Sequence, residues 1–378
     1  MKIVHICLTG VYTEGWSYQE NLLSKYHKRL GYDVTLIASE WMYDNDGNKT
    51  VSKQSNYVNP DGIKIIRLQE KKGDPDRKFR RFPDLFFTLS KENPNILFVH
   101  GCQFLDVDQI VKYKRMNPKV VVYVDNHADF SNSATNWISR NVLHRIIWKK
   151  CAKKIEPYTR KFYGVMPSRV DFLIKMYGIP KDKVELLVMG ADDEKIDELL
   201  NSEIKTSVRN QFNIDKDDFL VVTGGKIDLS KKQTLLLMQA VNQMEGVKLL
   251  VFGSVVDELK KELEDLCSEK VKYIGWINSS ETNQLFAAAD LVAFPGRHSV
   301  FWEQVAGMGI PLLVKDWKGT HHVDVGGNVK FIKKDTVDEI RHLLIEIINN
   351  DYDSMRAIAQ TKGKERFSYR AIAKRSIS

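Results

Sequence analysis

Cysteine is scarce in this chain: Cys7, Cys102, Cys151 and Cys267 are spread far apart over 378 residues, with no C-x-x-C pair. That spacing argues against a disulfide framework and a thiolate zinc site, and it predicts reduced thiols in the cytoplasm. Long apolar runs are missing too. Nothing approaches the roughly 18 residues of a membrane span, so any membrane contact is expected to be peripheral. The opening MKIVHICLTG is apolar only from Ile3 to Leu8, too short for a signal-peptide core, and reads as the first strand of a protein not exported by that route. There is no internal repeat and no low-complexity tract. No pair of facing carboxylates presents itself for glycoside hydrolysis. His321-His322 with Asp324 lacks the helical His-x-x-x-His spacing of a zinc site. Asp44-Asn-Asp46 and Asp106-Val-Asp108 match a metal-binding D-x-D pattern, but the first sits in a DG turn and the second reads as a helix cap. No metal is therefore expected.

What is present is enough chain for two cores, and a net charge of +8 carried by the first half. Much of that charge lies in KKGDPDRKFRRFPDLFF (71–87) and SRNVLHRIIWKKCAKKIEPYTRKF (139–162), where Lys and Arg alternate with aromatic and aliphatic residues. Such clusters suit an interfacial helix over anionic lipid; a solvated helix face with its apolar side in the core is the plainer alternative. No nucleic-acid module accompanies them, and nucleic acid is not expected as a partner.

Short β-branched runs alternate with amphipathic segments. KIVHICL, DVTLIAS, NILFVHG, KVVVYVD and KFYGVMPS read as buried parallel strands of a first domain. Residues 40–62 are turn-rich and read as a loop or hairpin excursion. The pattern restarts with DFLVVTGGK, VKLLVFGS, VKYIGW, DLVAFPG and PLLVKD. Two such series imply an α/β protein of two doubly wound domains, joined through a linker over about 178–216. Ligands in such sheets bind beyond the carboxyl ends of the strands, and the cleft between the domains is the expected site.

Three strand ends carry chemistry. After DFLVVTGG come Lys226 and then Lys231-Lys232 at the head of a helix, which places cations and free backbone N–H groups where a diphosphate would fit; simple solvation of these lysines is the alternative. After DLVAFPG, Glu303 opens the helix of VFWEQVAGMG. Capping would explain an acid there, but flanking Phe301, Trp302, Val305 and Ala306 suggest half-burial, and a carboxylate facing a ribose accepts from both hydroxyls. The strand VVVYVD ends in Asp125-Asn126-His127-Ala128-Asp129, and His127 lies where a reacting hydroxyl would be bound and relieved of its proton, unless it is a structural hydrogen-bonder. His100 in FVHG is a second strand-end histidine. Gly15, in the turn VYTEGWS after the first strand, is expected to open the next helix and let a phosphate or sugar approach the backbone.

These residues, in this order and spacing, resemble retaining glycosyltransferases of the two-Rossmann GT-B architecture, glycosyltransferase family 4. The likeness runs from KIVHICLTG to RFSYRAIAKRS and is strongest over about 218–316. TGGKIDLSKK looks like the family's Gly-Arg…Lys diphosphate motif with Lys226 in place of arginine, and EQVAGMGIP is similar to its E-A-M-A-x-G-x-P. The resemblance implies two Rossmann-like domains facing across a cleft: an acceptor domain over 1–185, a nucleotide-sugar domain over 186–360, and a C-terminal helix over 361–378 returning to the first. It implies Glu303 on the donor ribose, Lys226, Lys231 and Gly15 on the diphosphate, Ile274, Trp276 and Ile277 at the base, and His127 as the catalytic residue. The family's first glutamate is missing, since eight positions before Glu303 stands Pro295; His298 or Ser299 would occupy that space at the donor sugar. Met189-Gly190 replaces the usual Asn-Gly. The implied activity is metal-independent transfer with retention, without cofactor, from a UDP-sugar to a glycan, lipid-linked or protein acceptor in bacterial surface or capsular polysaccharide synthesis. A cytoplasmic protein, peripheral on the inner membrane face, would suit that role. The alternatives are a non-catalytic partner subunit of another transferase and a nucleotide-sugar epimerase.

Overall fold

Runs such as KIVHIC and FLVVTG, buried along almost their whole length, form the centre of a parallel sheet in each of two units. The computed structural model describes residues 1–44, 47–71, 78–199, 202–229 and 232–378. The units are Met1–Val188 with Ile372–Ser378, and Met189–Ala371. The chain returns to the first unit at Ile372, inside the helix Tyr369–Ser376, later than the 361 anticipated from sequence.

In the first unit the strands are β1 (Lys2–Cys7), β2 (Asp33–Ser39), β3 (Trp41–Tyr43), β4 (Lys49–Val51), β5 (Asn56–Val58), β6 (Lys64–Leu68), β7 (Ile96–His100), β8 (Val121–Asn126), β9 (Lys161–Gly164) and β10 (Val184–Leu186). The main sheet has the order β10-β9-β8-β7-β1-β2-β6-β5, parallel except for β5 against β6, and β3 and β4 form a separate hairpin. The order reverses at β1, between β2 and β7, so the switch point lies beyond Cys7 and His100. Alternation along the strands sorts the two faces. Val4, Ile6, Leu97, Val99, Val122 and Val124 join one aliphatic core. The opposite face carries a polar and aromatic set, His5, Phe98, His100, Tyr123, Asp125 and Tyr163, all buried. Register aligns His5 with Phe98 and His100 with Asp125.

The second unit has β11 (Phe219–Gly224), β12 (Val247–Phe252), β13 (Val271–Tyr273), β14 (Leu291–Phe294), β15 (Leu312–Lys315) and β16 (Val329–Ile332), all parallel in the order β13-β12-β11-β14-β15-β16. Its switch point lies between the ends of β11 and β14. Glycine is obligatory beside it: a Cβ on Gly253 would stand 1.9 Å from the Gly225 carbonyl oxygen, and Gly253 has φ +118°.

The ten strands read from sequence are all present; β6, β10 and β16 join them, and the turn-rich stretch 40–62 supplies β3, β4 and the edge strand β5. The stretch read as a linker carries β10 and the helices Asp193–Leu199 and Ser202–Gln211. Residues 139–162 are a helical segment, Ser139–Trp148 running into Lys149–Ile155, followed by β9. Its inner side buries Leu143, Trp148, Ala152 and Ile155, while Trp137 and Ile138 just ahead of it are 72% and 63% exposed. Of the 71–87 cluster, 72–77 lie outside the described residues; Phe82 and Leu85 are core, and Phe87 is exposed. Asp106 does precede the helix Val107–Met116, but it does not cap it: its carboxylate accepts from Arg81 and from the Phe82 backbone N–H. Asp46 lies outside the described residues.

Candidate functional site

Each unit brings three titratable side chains together at or beyond the carboxyl ends of its central strands. In the second, the chain leaves β14 through Pro295 and Gly296 and enters the helix Phe301–Met308, with Glu303 in its first turn. Glu303 is fully buried, beyond the half-burial expected from sequence. Its Oε1 accepts from His298 Nε2 at 2.9 Å and from His322 Nε2 at 2.8 Å. Its Oε2 has no hydrogen-bond partner among the described residues. Burial by itself pushes the carboxyl pKa up, but His298 and His322 outweigh it and hold it down at about 2, so the group is a carboxylate with one oxygen engaged and the other buried without a partner among the described residues. Gly307 in the same helix serves packing: a Cβ there would lie 2.8 Å from Ala191 Cβ.

The predicted neighbours fall into place unevenly. His298 contacts Glu303 and packs edge-on against Trp302, with ring centroids 4.9 Å apart. Ser299, half-buried beside it, accepts the Trp302 backbone N–H through its carbonyl. Lys226 is exposed just past β11. Lys231 lies outside the described residues, and Lys232 is the residue ahead of the helix Gln233–Asn242. Past β13, Ile274 and Ile277 are half-buried and Trp276 is 75% exposed. The next helix, Ser279–Ala288, is fixed by a capping box between Asn278 and Glu281. His322 is the member the sequence reading missed. It was weighed only as a zinc ligand, and its distance of 19 positions from Glu303 gives no local signal.

In the first unit, His127 follows β8, with its side chain 38% exposed. Its Nε2 lies 3.5 Å from Asp125 Oδ2. The loop behind it is pinned by Asp129, whose Oδ1 accepts from the Ser131 N–H and hydroxyl and from the Asn132 N–H, while the Asn132 side chain donates to the His127 carbonyl. Asp125 is fully buried, and its Oδ2 is 2.8 Å from His100 Nδ1. Burial opposes its charge, yet His100 and His127 hold its pKa well below the carboxylate range. Gly15 is exposed in its turn with φ +77°, and the helix that was expected to open at it starts at Gln19. The glycine is required there for its backbone sign.

Two trios, His100–Asp125–His127 and His298–Glu303–His322, each bring three possible ligand atoms within 4.8 Å of one another. In both trios histidine nitrogens face carboxylate oxygens at hydrogen-bond or ion-pair distance. Freeing the Nε2 of His322 for a metal would move its proton to Nδ1, a buried atom with no acceptor among the described residues, the reverse of the second-shell support that a ligating histidine needs. His100 has both ring nitrogens committed, to Asp125 and to His5.

No family model matches the chain. Over 179 residues, 45% of its length, it is 25% identical to an uncharacterized glycosyltransferase of Methanocaldococcus jannaschii, covering 43% of that protein. The match thus spans less than half of the curated relative. Among solved structures, a glycosyltransferase from Rickettsia africae superposes with a TM-score of 0.70 at 13% identity, covering 100% of this chain and 96% of that one. HepE of Anabaena, solved with UDP and glucose, gives 0.65 at 14% identity over 99% and 98%. The UDP-GlcNAc 2-epimerase of Neisseria meningitidis, bound to UDP-GlcNAc, gives 0.62 at 13% over 100% and 98%. At such identities the likeness is one of fold, and the fold is GT-B, an α/β architecture of two Rossmann-like domains.

Proposed function

We propose that this protein is a glycosyltransferase that moves a sugar from a nucleotide donor, UDP-linked, to an acceptor hydroxyl with retention of anomeric configuration. The observation that carries the reading is Glu303: a buried carboxylate beyond β14, with Oε1 held by two imidazoles and Oε2 unpaired. An ionised acceptor with an unpaired oxygen at a Rossmann switch point suits a ribose diol, which reaches the buried Oε2 once the side chains covering it shift. The donor then lies on the second unit, its ribose on Glu303, its base against Trp276 between Ile274 and Ile277, and its diphosphate on Lys226 and Lys231. His298 and Ser299 take the place of the absent first glutamate at the sugar. Lysines and backbone N–H groups stabilise the charge growing on the leaving diphosphate, which dispenses with a metal. The bond from the anomeric carbon to the diphosphate breaks as the bond to the acceptor oxygen forms on the same face, and the acceptor proton passes to His127.

The acceptor is assigned to the first unit, as a glycan of bacterial surface synthesis presented at an anionic membrane on the cytoplasmic side. The support is the exposed pair Trp137 and Ile138 at the head of a helix bearing Arg140, Arg145, Lys149 and Lys150. No helix among the described residues is long and apolar enough to cross a membrane.

The test is donor turnover. Consumption of a UDP-sugar that requires an acceptor, with the anomeric configuration of the product retained by NMR, supports the reading. An epimerase converts the donor without an acceptor, and a non-catalytic subunit consumes none. Undiminished turnover in Glu303→Ala, Lys231→Ala and His127→Ala together sinks the assignment.

A further inference from the structure

Behind His127 lies a feature that sugar transfer as proposed does not use: three buried imidazoles in a row. His27 Nε2 meets two atoms of the C-terminal segment, the Ala373 carbonyl oxygen at 3.1 Å and Ser376 Oγ at 3.0 Å. His27 Nδ1 meets His5 Nε2 at 3.0 Å, His5 Nδ1 meets His100 Nε2 at 2.9 Å, and His100 Nδ1 meets Asp125 Oδ2 at 2.8 Å. His5, His27 and Ser376 are fully buried, His100 nearly so, and all three rings pack around Phe98.

The far end sets the direction. A carbonyl only accepts, and the Ser376 hydroxyl spends its proton on the same Ala373 oxygen at 2.8 Å, so both partners of His27 Nε2 are acceptors and that nitrogen carries hydrogen. A neutral His27 then accepts at Nδ1, which obliges His5 to donate from Nε2. By the same step His100 donates from Nε2 to His5. A neutral His100 would turn the lone pair of Nδ1 toward a carboxylate oxygen at 2.8 Å, a repulsive contact, so a further proton must lie between His100 and Asp125.

We infer that the C-terminal segment Ile372–Ser378, acting through His27 and His5, locks a proton between His100 and Asp125, and that this pair is the positioning device for His127. Asp125 Oδ2 lies 3.5 Å from the buried Nε2 of His127, which has no hydrogen-bond partner among the described residues; an ionised Asp125 favours the proton on that nitrogen, which leaves the Nδ1 lone pair as the base. The pair itself adds no net charge beside that ring. Other titratable groups around it are Cys7 and His5 on β1, Glu20 on the helix Gln19–Arg29, and His27. Their balance agrees with the assignment. Burial disfavours charge on His100, but Asp125 and the more distant Glu20 raise its pKa above the ordinary value, whereas burial takes His5 well below it and His27 to about 4. The segment is independently anchored to the sheet: Tyr123 donates to the Ile377 carbonyl at 3.0 Å and Tyr163 to that of Arg375 at 3.4 Å.

The role given to His127 rests on the proposed transfer; the histidine ladder itself does not. Nitrogen-15 NMR of the histidine rings in the full-length protein tests the ladder directly. At pH 7.5, His100 is expected protonated at both nitrogens, and His5 and His27 at Nε2 only. His27→Gln keeps the direction, since its amide oxygen accepts from His5 while its NH2 donates to Ala373, and should leave His100 doubly protonated. His27→Leu should lower the pH at which His100 loses its proton by a unit or more and, where transfer is measured, reduce kcat about tenfold with little change in KM. Asp125→Asn should leave His100 neutral at pH 7.5. A neutral His100 in the wild-type protein overturns the inference, as does identical His100 titration in His27→Gln and His27→Leu. Stoichiometric Zn2+ uptake that displaces the His100 proton and is lost in Asp125→Asn also overturns it. The predicted protonation pattern in a protein without transferase activity would refute the functional reading and leave the ladder standing.

Discussion

His322 Nε2 lies 2.8 Å from Glu303 Oε1, so this oxygen is already engaged, while the buried Oε2 has no partner among the described residues. His322→Ala should therefore act twice. Loss of one partner to a buried carboxylate costs about 1–3 kcal/mol of stability, and the freed carboxylate should also lose its fixed orientation toward the ribose. Thermal unfolding and UDP titration should show a lowered midpoint together with affinity weakened about tenfold.

Trp276 separates binding from folding. It is largely exposed, so Trp276→Ala should change stability by no more than about 0.5 kcal/mol. If the base stacks on it, UDP affinity should drop by about 1–3 kcal/mol. Calorimetry on the variant reads both.

Gly253 permits the opposite dissociation. A methyl group there meets the Gly225 carbonyl at 1.9 Å on a backbone of φ +118°. Gly253→Ala should destabilise the second unit by about 1–3 kcal/mol or more, seen as an early transition in denaturant unfolding.

Acid should weaken the first unit before the second site loses its charge. His27 is held at about 4 against an ordinary 6.5, with burial the largest cause, so the unfolded chain binds more protons between those values and stability falls as pH drops from about 6.5 to 4. One such group contributes a slope approaching 1.4 kcal/mol per pH unit. Glu303, depressed to about 2, loses its contribution only from about pH 4.5 downward. His100, with its raised pKa, works the other way: its contribution is full below about 6.5 and is lost as pH rises through its folded value. Urea titrations across pH should show the acid limb between 6.5 and 4 become shallower in His27→Gln.

Membrane attachment makes a further prediction. Liposomes of anionic lipid should sediment the protein at low salt and release it as ionic strength rises, and Trp137→Ser with Ile138→Ser should abolish sedimentation without lowering the unfolding midpoint.

Much of the fold was legible because parallel strands buried on both faces read as short β-branched runs, and KIVHIC, KVVVYVD and DLVAF do so plainly. Shorter or more polar strands did not: VEL of β10 and VKFI of β16 are three and four residues long and carry charges. Glu303 and His127 could be proposed from sequence since strand ends and helix starts are local features. Their hydrogen-bond and charge partners could not. His322 reaches Glu303 from a separate loop, and His27 joins His5 only when a helix packs on the sheet. The alternation of His5, Phe98, His100, Tyr123 and Asp125 on one sheet face was a usable signal, since those polar residues occupy inward positions where an aliphatic core would be expected.

The most direct test of the account is calorimetric titration of the full-length protein with UDP, in the wild type and in Glu303→Ala, with no metal added. Glu303 as the ribose acceptor predicts saturable one-to-one binding in the wild type and at least a tenfold loss of affinity in a variant that remains folded. Equal affinity in the two proteins, or no binding in either, would contradict it.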